Sequence, residues 1–314
     1  MTRTVKADIC VIGAGSGGLV VAAGAQQMGA NVVLLEGGEM GGDCLNYGCV
    51  PSKALLAAGH QAGSWKKMAP FGLSATAPDV DFNAVMDHVH DVIAGIAPHD
   101  SVERFEGLGV TVIKEYGRFT GPKEVTAGEI VIQAKYFVVS TGSSAVAPPV
   151  PGLDQVPYLT NETIFENRVR PEHLIIIGAG PIGMEMAQAH HQLGAKVTVL
   201  EAFKAMGRDD PELAAVVIDS LKADGIEIRE GVRITRAEAA PDGGVVLILD
   251  NDGSEERLEG SHLLVAAGRK ANVERLDLEK AGVEYSPKGI QVDDRLRTTN
   301  KRIFAIGDVA GGLQ

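Results

Sequence analysis

The chain has 314 residues, 45% of them hydrophobic and 22% charged, which is enough apolar sequence for two α/β cores and the wrong balance for a disordered or membrane-embedded protein. A net charge of -12 and an aromatic share of 4% exclude a general nucleic-acid binder: no basic run offsets phosphate repulsion, and few rings could stack on bases. With no stretch resembling a membrane span or a cleaved leader, a soluble, cytoplasmic protein is expected, with neither nucleic acid nor membrane as a partner.

In chain order, Ala7-Asp8-Ile9-Cys10-Val11-Ile12 reads as a buried parallel strand running into Gly13-Ala14-Gly15-Ser16-Gly17-Gly18, with an apolar-periodic helix beyond it to about Met28. This is a dinucleotide-binding fingerprint. Gly13 makes the tight turn, Gly15 admits a pyrophosphate to the backbone, and Gly18 allows close helix-to-strand packing. A second strand, Asn31 to Leu35, ends in Glu36, whose carboxylate is placed to accept hydrogen bonds from a ribose. Cys10 lies within the first strand and reads as an inert core residue.

The next segment, Gly41-Gly42-Asp43-Cys44-Leu45-Asn46-Tyr47-Gly48-Cys49-Val50-Pro51-Ser52-Lys53, carries the other cysteines. As a staple, a bridge across so short a loop contributes only about 2 kcal/mol. A redox role suits the spacing better, and a reducing compartment suits a bridge that cycles. Pro51, a residue favoured at the first helical position, marks a helix whose N–H groups and dipole can stabilise a thiolate. A helix is expected from Pro51 to Lys67, then a Pro/Gly/Ala-rich connection to Pro78, a further helical stretch from Phe82 to Leu108, and strands between Val110 and Lys135.

Pro148-Pro149-Val150-Pro151-Gly152 is a stiff breaker and reads as a linker between domains. Beyond it the fingerprint recurs. His173 to Ile177 leads into Gly178-Ala179-Gly180-Pro181-Ile182-Gly183, a helix through Leu193, a strand Lys196 to Leu200, and Glu201. Glu36 follows Gly13 by 23 residues and Glu201 follows Gly178 by 23, so two βαβ units of matching dimensions, and two dinucleotides, are implied. Asp242-Gly243-Gly244 and Asn251-Asp252-Gly253 mark hairpin turns in a meander. Strand-to-turn signatures follow in Tyr136 to Ser143, in Leu263 to Arg269 with Asn272 after it, and in Ile303 to Asp308.

On these motifs the whole chain resembles the class I pyridine nucleotide-disulfide oxidoreductases, near dihydrolipoamide dehydrogenase and the mercuric reductase-like flavoproteins. The resemblance implies an α/β fold of two Rossmann-like domains with parallel sheets and antiparallel β-meander insertions. It divides the chain into a first part of the FAD-binding domain at 1–149, an NAD-binding domain at 150–271 and a return to the FAD domain at 272–314. FAD is assigned Gly13, Gly15, Gly18, Glu36, Gly42, Lys53, Gly117, Thr141, Gly142, Gly307 and the ribityl-binding Asp308. NAD is assigned Gly178, Gly180, Ile182, Gly183, Glu201, Ile234 and Gly268, and no residue is assigned to a metal.

The catalytic residues so implied are Cys44, Cys49, Lys53 and Glu185. Cys49 is the flavin-proximal thiol and Cys44 the interchange thiol that attacks a substrate disulfide, small or lipoyl-type. Lys53 resembles the family lysine near the flavin N5 region, with Glu185 as its ion-pair partner. Glu201 should favour NADH over NADPH, because a 2′-phosphate about 5 Å away would cost roughly 3 kcal/mol per charge at an effective dielectric near 20. Lys204 and Arg208 are expected to face solvent, and Pro181 stands where NADPH-using relatives often carry a bulky lid.

His88, His90, His190 and His191 lack partners at ligand spacing and read as surface or partly buried. Relatives continue into an interface domain that forms a homodimer and supplies a His-Glu pair. No candidate for that pair occurs before Gln314, so a partial chain without the C-terminal dimerisation domain is expected, slow in lipoamide-type exchange. Two other functions remain open: a mercuric reductase-like metal or quinone reductase, and a non-catalytic flavin-binding fragment.

Overall fold

The computed structural model describes residues 3–241, 243–251 and 253–312. Along the chain run helices α1 (Ser16–Gln27), α2 (Gly42–Asn46), α3 (Cys49–Gly63), α4 (Phe82–Ile96), α5 (Val102–Gly107), α6 (Pro181–Gln192) and α7 (Pro211–Asp224). The first six strands are β1 (Arg3–Ile12), β2 (Val32–Leu35), β3 (Thr111–Ile113), β4 (Gly117–Gly121), β5 (Glu124–Ala127) and β6 (Ile130–Val139). The chain forms two compact units, one from the residues up to Asn46, Ile93–Ser144 and Arg269 onward, the other from Tyr47–Val92 and Ala145–Gly268. Residues 47–92 thus group with the second unit.

The first unit is built on a sheet of order β3-β2-β1-β6-β5-β4, in which β1 pairs parallel with both β2 and β6. The second edge of β6 is shared. Its first half takes β5 antiparallel and its last three residues take strand Ile303–Ala305 parallel. Strands covered on both faces must be apolar throughout, and all four residues of β2, Val32 to Leu35, are buried. Alternate residues of β1 feed different cores: Cys10 and Ile12 pack with Val33, Leu35, Phe119 and Phe137, and Val11 packs with Leu34, Leu19 and Phe105.

The second unit holds a four-stranded parallel sheet in the order Glu227–Arg229, Lys196–Leu200, His173–Ile177, His262–Val265. An antiparallel meander of Arg233–Ala239, Val245–Asn251 and Ser254–Gly260 buries Leu247, Leu249 and Leu258 against Ile175, Ile177 and Val265. Asp242 and Asp252, expected in the meander's turns, lie outside the described residues. Helix α7 shows how local chemistry sets an element. Asp210 caps it by accepting from the N–H groups of Glu212 and Leu213, Pro211 opens it, and Gly225 at φ 109° ends it. Helix α3 packs along α6, where a Cβ on Gly59 would lie 3.3 Å from the Ala189 Cα.

Two helix expectations are corrected. Helix α3 begins at Cys49, before Pro51, and gives way at Ser64–Lys67 to a 3-10 turn. The stretch from Phe82 to Leu108 is not continuous: α4 ends at Ile96, Ala97–Asp100 forms a 3-10 turn around Pro98, which cannot donate to a preceding turn, and Ser101 caps α5 through the Arg104 N–H.

Candidate functional site

The two fingerprints fold alike. Gly13 has φ 105° and Gly178 φ 107°, and a Cβ on either would strike a carbonyl oxygen, of Ser140 at 2.5 Å or of Ala266 at 2.4 Å. A Cβ on Gly18 would lie 1.9 Å from the Gly13 oxygen, and on Gly183 2.0 Å from the Gly178 oxygen, so both positions accept only glycine. The middle glycines differ. A Cβ on Gly180 meets nothing within 4 Å, and on Gly15 only the Gly42 Cα at 3.9 Å. Each caps its helix without a side-chain hydrogen bond, and neither α1 nor α6 has an acidic residue in its first turn. Space and unclaimed N–H donors at the positive helix end are what a dinucleotide's pyrophosphate requires. The residues fit both nucleotides.

The two glutamates repeat the parallel. Glu36 accepts the Ala14 N–H at 2.6 Å on one carboxylate oxygen and the Gly38 N–H at 2.6 Å on the other. Glu201 accepts those of Ala179 and Phe203, both at 2.9 Å. Each carboxylate is therefore fixed by its own glycine turn, with lone pairs remaining for ribose hydroxyls. Lys204 and Arg208 are exposed.

The segment before the cysteines is locked to the first turn. Gly41 and Gly42 take positive φ, 86° and 60°, Gly41 donates its N–H to the Ala14 carbonyl at 2.9 Å, and a Cβ on Gly42 would lie 2.6 Å from the Gly15 Cα. Cys44 then sits half-buried on the short helix α2. In the second unit Cys49 is the exposed first residue of α3, whose N-cap Gly48 supplies no side chain.

Asp308, in the Gly307–Ala310 turn, accepts the Ser143 hydroxyl at 2.5 Å. Arg269, only 15% exposed, donates its Nε to that hydroxyl and an Nη to the Ser143 carbonyl, both at 2.7 Å, and reaches Asp43 at 3.2 Å. It ties the residue before Cys44 to the Ser143–Asp308 pair. The sequence places it only at the end of a turn signature and not as a tie, because its partners lie far apart in the chain. Thr141 and Gly142 are held by Asn272: the Thr141 hydroxyl donates to the Asn272 carbonyl at 2.7 Å, and the Asn272 N–H donates to the Gly142 carbonyl at 2.9 Å.

In the second unit Lys53 Nζ lies 2.8 Å from both carboxylate oxygens of Glu185. Ile182 is part-exposed near the start of α6, while Ile234, at a bulge, packs into the core under the meander. Gly268 accepts the Val146 N–H through its carbonyl at 3.1 Å. Gly117 has a packing reason of its own, since a Cβ there would lie 2.7 Å from Leu35.

One histidine expectation is corrected: His190 is 1% exposed, its ring tilted at 42° to that of Phe82 with centroids 6.1 Å apart and bonded through Nδ1 to the Met186 carbonyl, and burial pulls its pKa down to about 4. Burial pushes the Cys10 thiol up. Among the described residues no group of three or more His, Cys, Asp or Glu side chains could hold a metal ion, and no helix is long and apolar enough to cross a membrane.

Paired Rossmann-type units, each with a glycine turn closed by its own glutamate, define an oxidoreductase architecture for two dinucleotides. The chain belongs to the pyridine nucleotide-disulphide oxidoreductase family, whose pattern matches residues 7–314. It is 35% identical over 309 residues to a mercuric reductase of Streptomyces lividans, covering 96% of this chain and 65% of the relative. It is 34% identical over 316 residues to a dihydrolipoyl dehydrogenase of Thermus scotoductus, covering 96% and 66%. A mercuric reductase of Bacillus cereus, 36% identical over 311 residues and matched over 98% of this chain, is covered over only 49% of its length. The HOCl-induced flavoprotein disulfide reductase RclA of Escherichia coli superposes with a TM-score of 0.85 at 27% identity, over 98% of this chain and 67% of its own. The chain thus spans about half to two thirds of the relatives it matches. The family placement supports FAD and a nicotinamide nucleotide as cofactors.

Proposed function

We propose that the chain takes reducing equivalents from NADH, held by Gly178, Gly180, Gly183 and Glu201, and passes them through FAD, held by Gly13, Gly15, Gly18, Glu36 and Asp308, to the Cys44/Cys49 pair and on to an acceptor disulfide. Bound FAD supplies the hydride-accepting chemistry that no side chain offers. The rest falls to the protein. Reduction breaks the Cys44–Cys49 bond and leaves two sulfurs carrying the electron pair. Cys44 then attacks one sulfur of the acceptor, and the acceptor's other sulfur departs and takes up a proton. Attack of Cys49 on the resulting mixed disulfide re-forms the pair and releases the dithiol. Helix α3 begins at Cys49, so its N–H groups favour negative charge on that sulfur.

The observation that carries this reading is the close approach of Gly42 to Gly15, which holds the segment leading into Cys44 against the FAD-assigned glycine turn. A second acceptor, a thiophilic metal ion, is favoured by the mercuric reductases among the relatives. In both readings the thiols at Cys44 and Cys49 do the work, since Cys10 is fully buried. The test compares NADH oxidation driven by lipoamide with that driven by mercuric ion. Cys44→Ser should abolish lipoamide turnover; lipoamide turnover equal to wild type would overturn the proposal, and turnover with mercuric ion alone would select the second acceptor.

Preference for NADH rests on Glu201. Its two hydrogen bonds prevent it from swinging away from a 2′-phosphate, so the repulsion of roughly 3 kcal/mol, about a hundredfold, is not relieved by rotation. Glu201→Gln keeps an acceptor and removes the charge. It should raise kcat/KM for NADPH relative to NADH, and an unchanged ratio would remove Glu201 from the account.

A further inference from the structure

One face of the first unit's sheet carries a cleft of about 420 Å³ whose lining includes Lys6, Asp8, Asn31, Lys123, Lys135 and Arg302. The register brings two of the cations together: Lys6 lies opposite Gln133, so Lys6 and Asp8 of β1 share a face with Gln133 and Lys135 of β6. Lys123 arrives from the turn between β4 and β5, and Arg302 from the turn before strand Ile303–Ala305. Four cations from four separate segments converge in a chain whose net charge is -12.

Among the described residues the only carboxylate lining the cleft, that of Asp8, is already engaged. Asp8 lies 2.6 Å from Lys135 Nζ and accepts the Asn31 N–H at 2.9 Å. Glu124, beside Lys123 in the chain, accepts from Gln133 Nε2 at 3.1 Å and from the Thr120 hydroxyl at 2.9 Å. Among the described residues the Lys6 and Lys123 side chains have no hydrogen-bond or ion-pair partner, and the Arg302 guanidinium reaches only the Lys135 carbonyl, at 3.4 Å. Like charges gathered this way repel, and among the described residues only the Asp8 carboxylate, paired with Lys135, offsets that repulsion, leaving Lys6, Lys123 and Arg302 without an anionic partner.

We propose that this cleft binds a small phosphate-bearing anion of diphosphate type. Ammonium groups act as point charges toward phosphate oxygens, an arginine fork adds directional donors, and the volume lies within the range of small-molecule sites. The site is separate from the first glycine turn: Lys6 and Gly13 are seven residues apart along an extended strand, about 23 Å at the usual strand rise.

The test is an amide NMR titration of the FAD-loaded protein with inorganic pyrophosphate at constant ionic strength, followed at Ala7, Asn31 and Ala134 around the cleft and at Gly15 and Gly180 in the turns. Saturable shifts are expected at the cleft amides, weakened about tenfold in the triple variant Lys6→Gln/Lys123→Gln/Arg302→Gln, with shifts at Gly15 and Gly180 the same in both proteins. Three outcomes would overturn the proposal: shifts confined to the glycine turns, equal affinity in the triple variant, or citrate binding as tightly as pyrophosphate.

Discussion

Lys53 and Glu185 meet in a two-pronged ion pair across the packed helices α3 and α6, the ammonium 2.8 Å from each carboxylate oxygen. Their side chains are 60% and 35% exposed, so the pair adds no more than about 1 kcal/mol to stability. In the proposed electron path the pair serves to hold an ammonium at a fixed point. Lys53→Met and Glu185→Gln should each leave thermal unfolding nearly unchanged while slowing reduction of bound FAD by NADH roughly ten- to a hundredfold. Stopped-flow absorbance beside thermal melts separates the two effects. A large loss of stability with unchanged reduction would assign the pair a structural role only.

The glycine turns allow binding and folding to be separated. Gly18→Ala forces a methyl to within 1.9 Å of the Gly13 oxygen and should prevent stable folding of the first unit. Gly180→Ala places the same methyl in open space, so the fold should persist while affinity for NADH falls. Circular dichroism and NADH titration of both variants check this, and a Gly180→Ala protein that binds NADH as wild type does would contradict the cradle.

The features legible in the sequence are those where backbone geometry dictates residue type. Gly13, Gly18, Gly178 and Gly183 are written as glycine because any Cβ would strike a carbonyl, and the spacing to Glu36 and Glu201 follows from one helix and one strand. Lys53 and Glu185 are 132 residues apart and exposed, so no periodicity links them, and only resemblance to a family does. Arg269 is visible in the sequence only as the end of a strand-to-turn signature, and its bridging role is not: Asp43, Ser143 and Asp308 obey no spacing rule, and their convergence exists only after folding. The break in the stretch 82–108 is encoded by Pro98 and Ser101, but apolar periodicity outweighs those two residues in a linear reading. His190 sits beside His191 and reads as polar, whereas its place on α6 faces Phe82.

That burial predicts acid sensitivity. His190 has its pKa lowered from 6.5 to about 4 by desolvation, and burial also lowers those of His173 and His262. Between these values the unfolded chain binds a proton that folded His190 refuses, so its contribution is complete above pH 6.5 and is lost as pH falls toward 4. The loss amounts to about 3 kcal/mol. Chemical denaturation across this range should show stability falling with acid, and His190→Gln should flatten the slope. An identical slope in the variant would remove His190 as the cause.

The central claim is that electrons leave the flavin through Cys44 and Cys49. Anaerobic titration of the FAD-loaded protein with NADH, with accessible thiols counted before and after, tests it most directly. The account predicts a pair of new thiols, together with a long-wavelength absorption band that Cys49→Ser abolishes. Flavin bleaching with no gain in thiols and no band would contradict it.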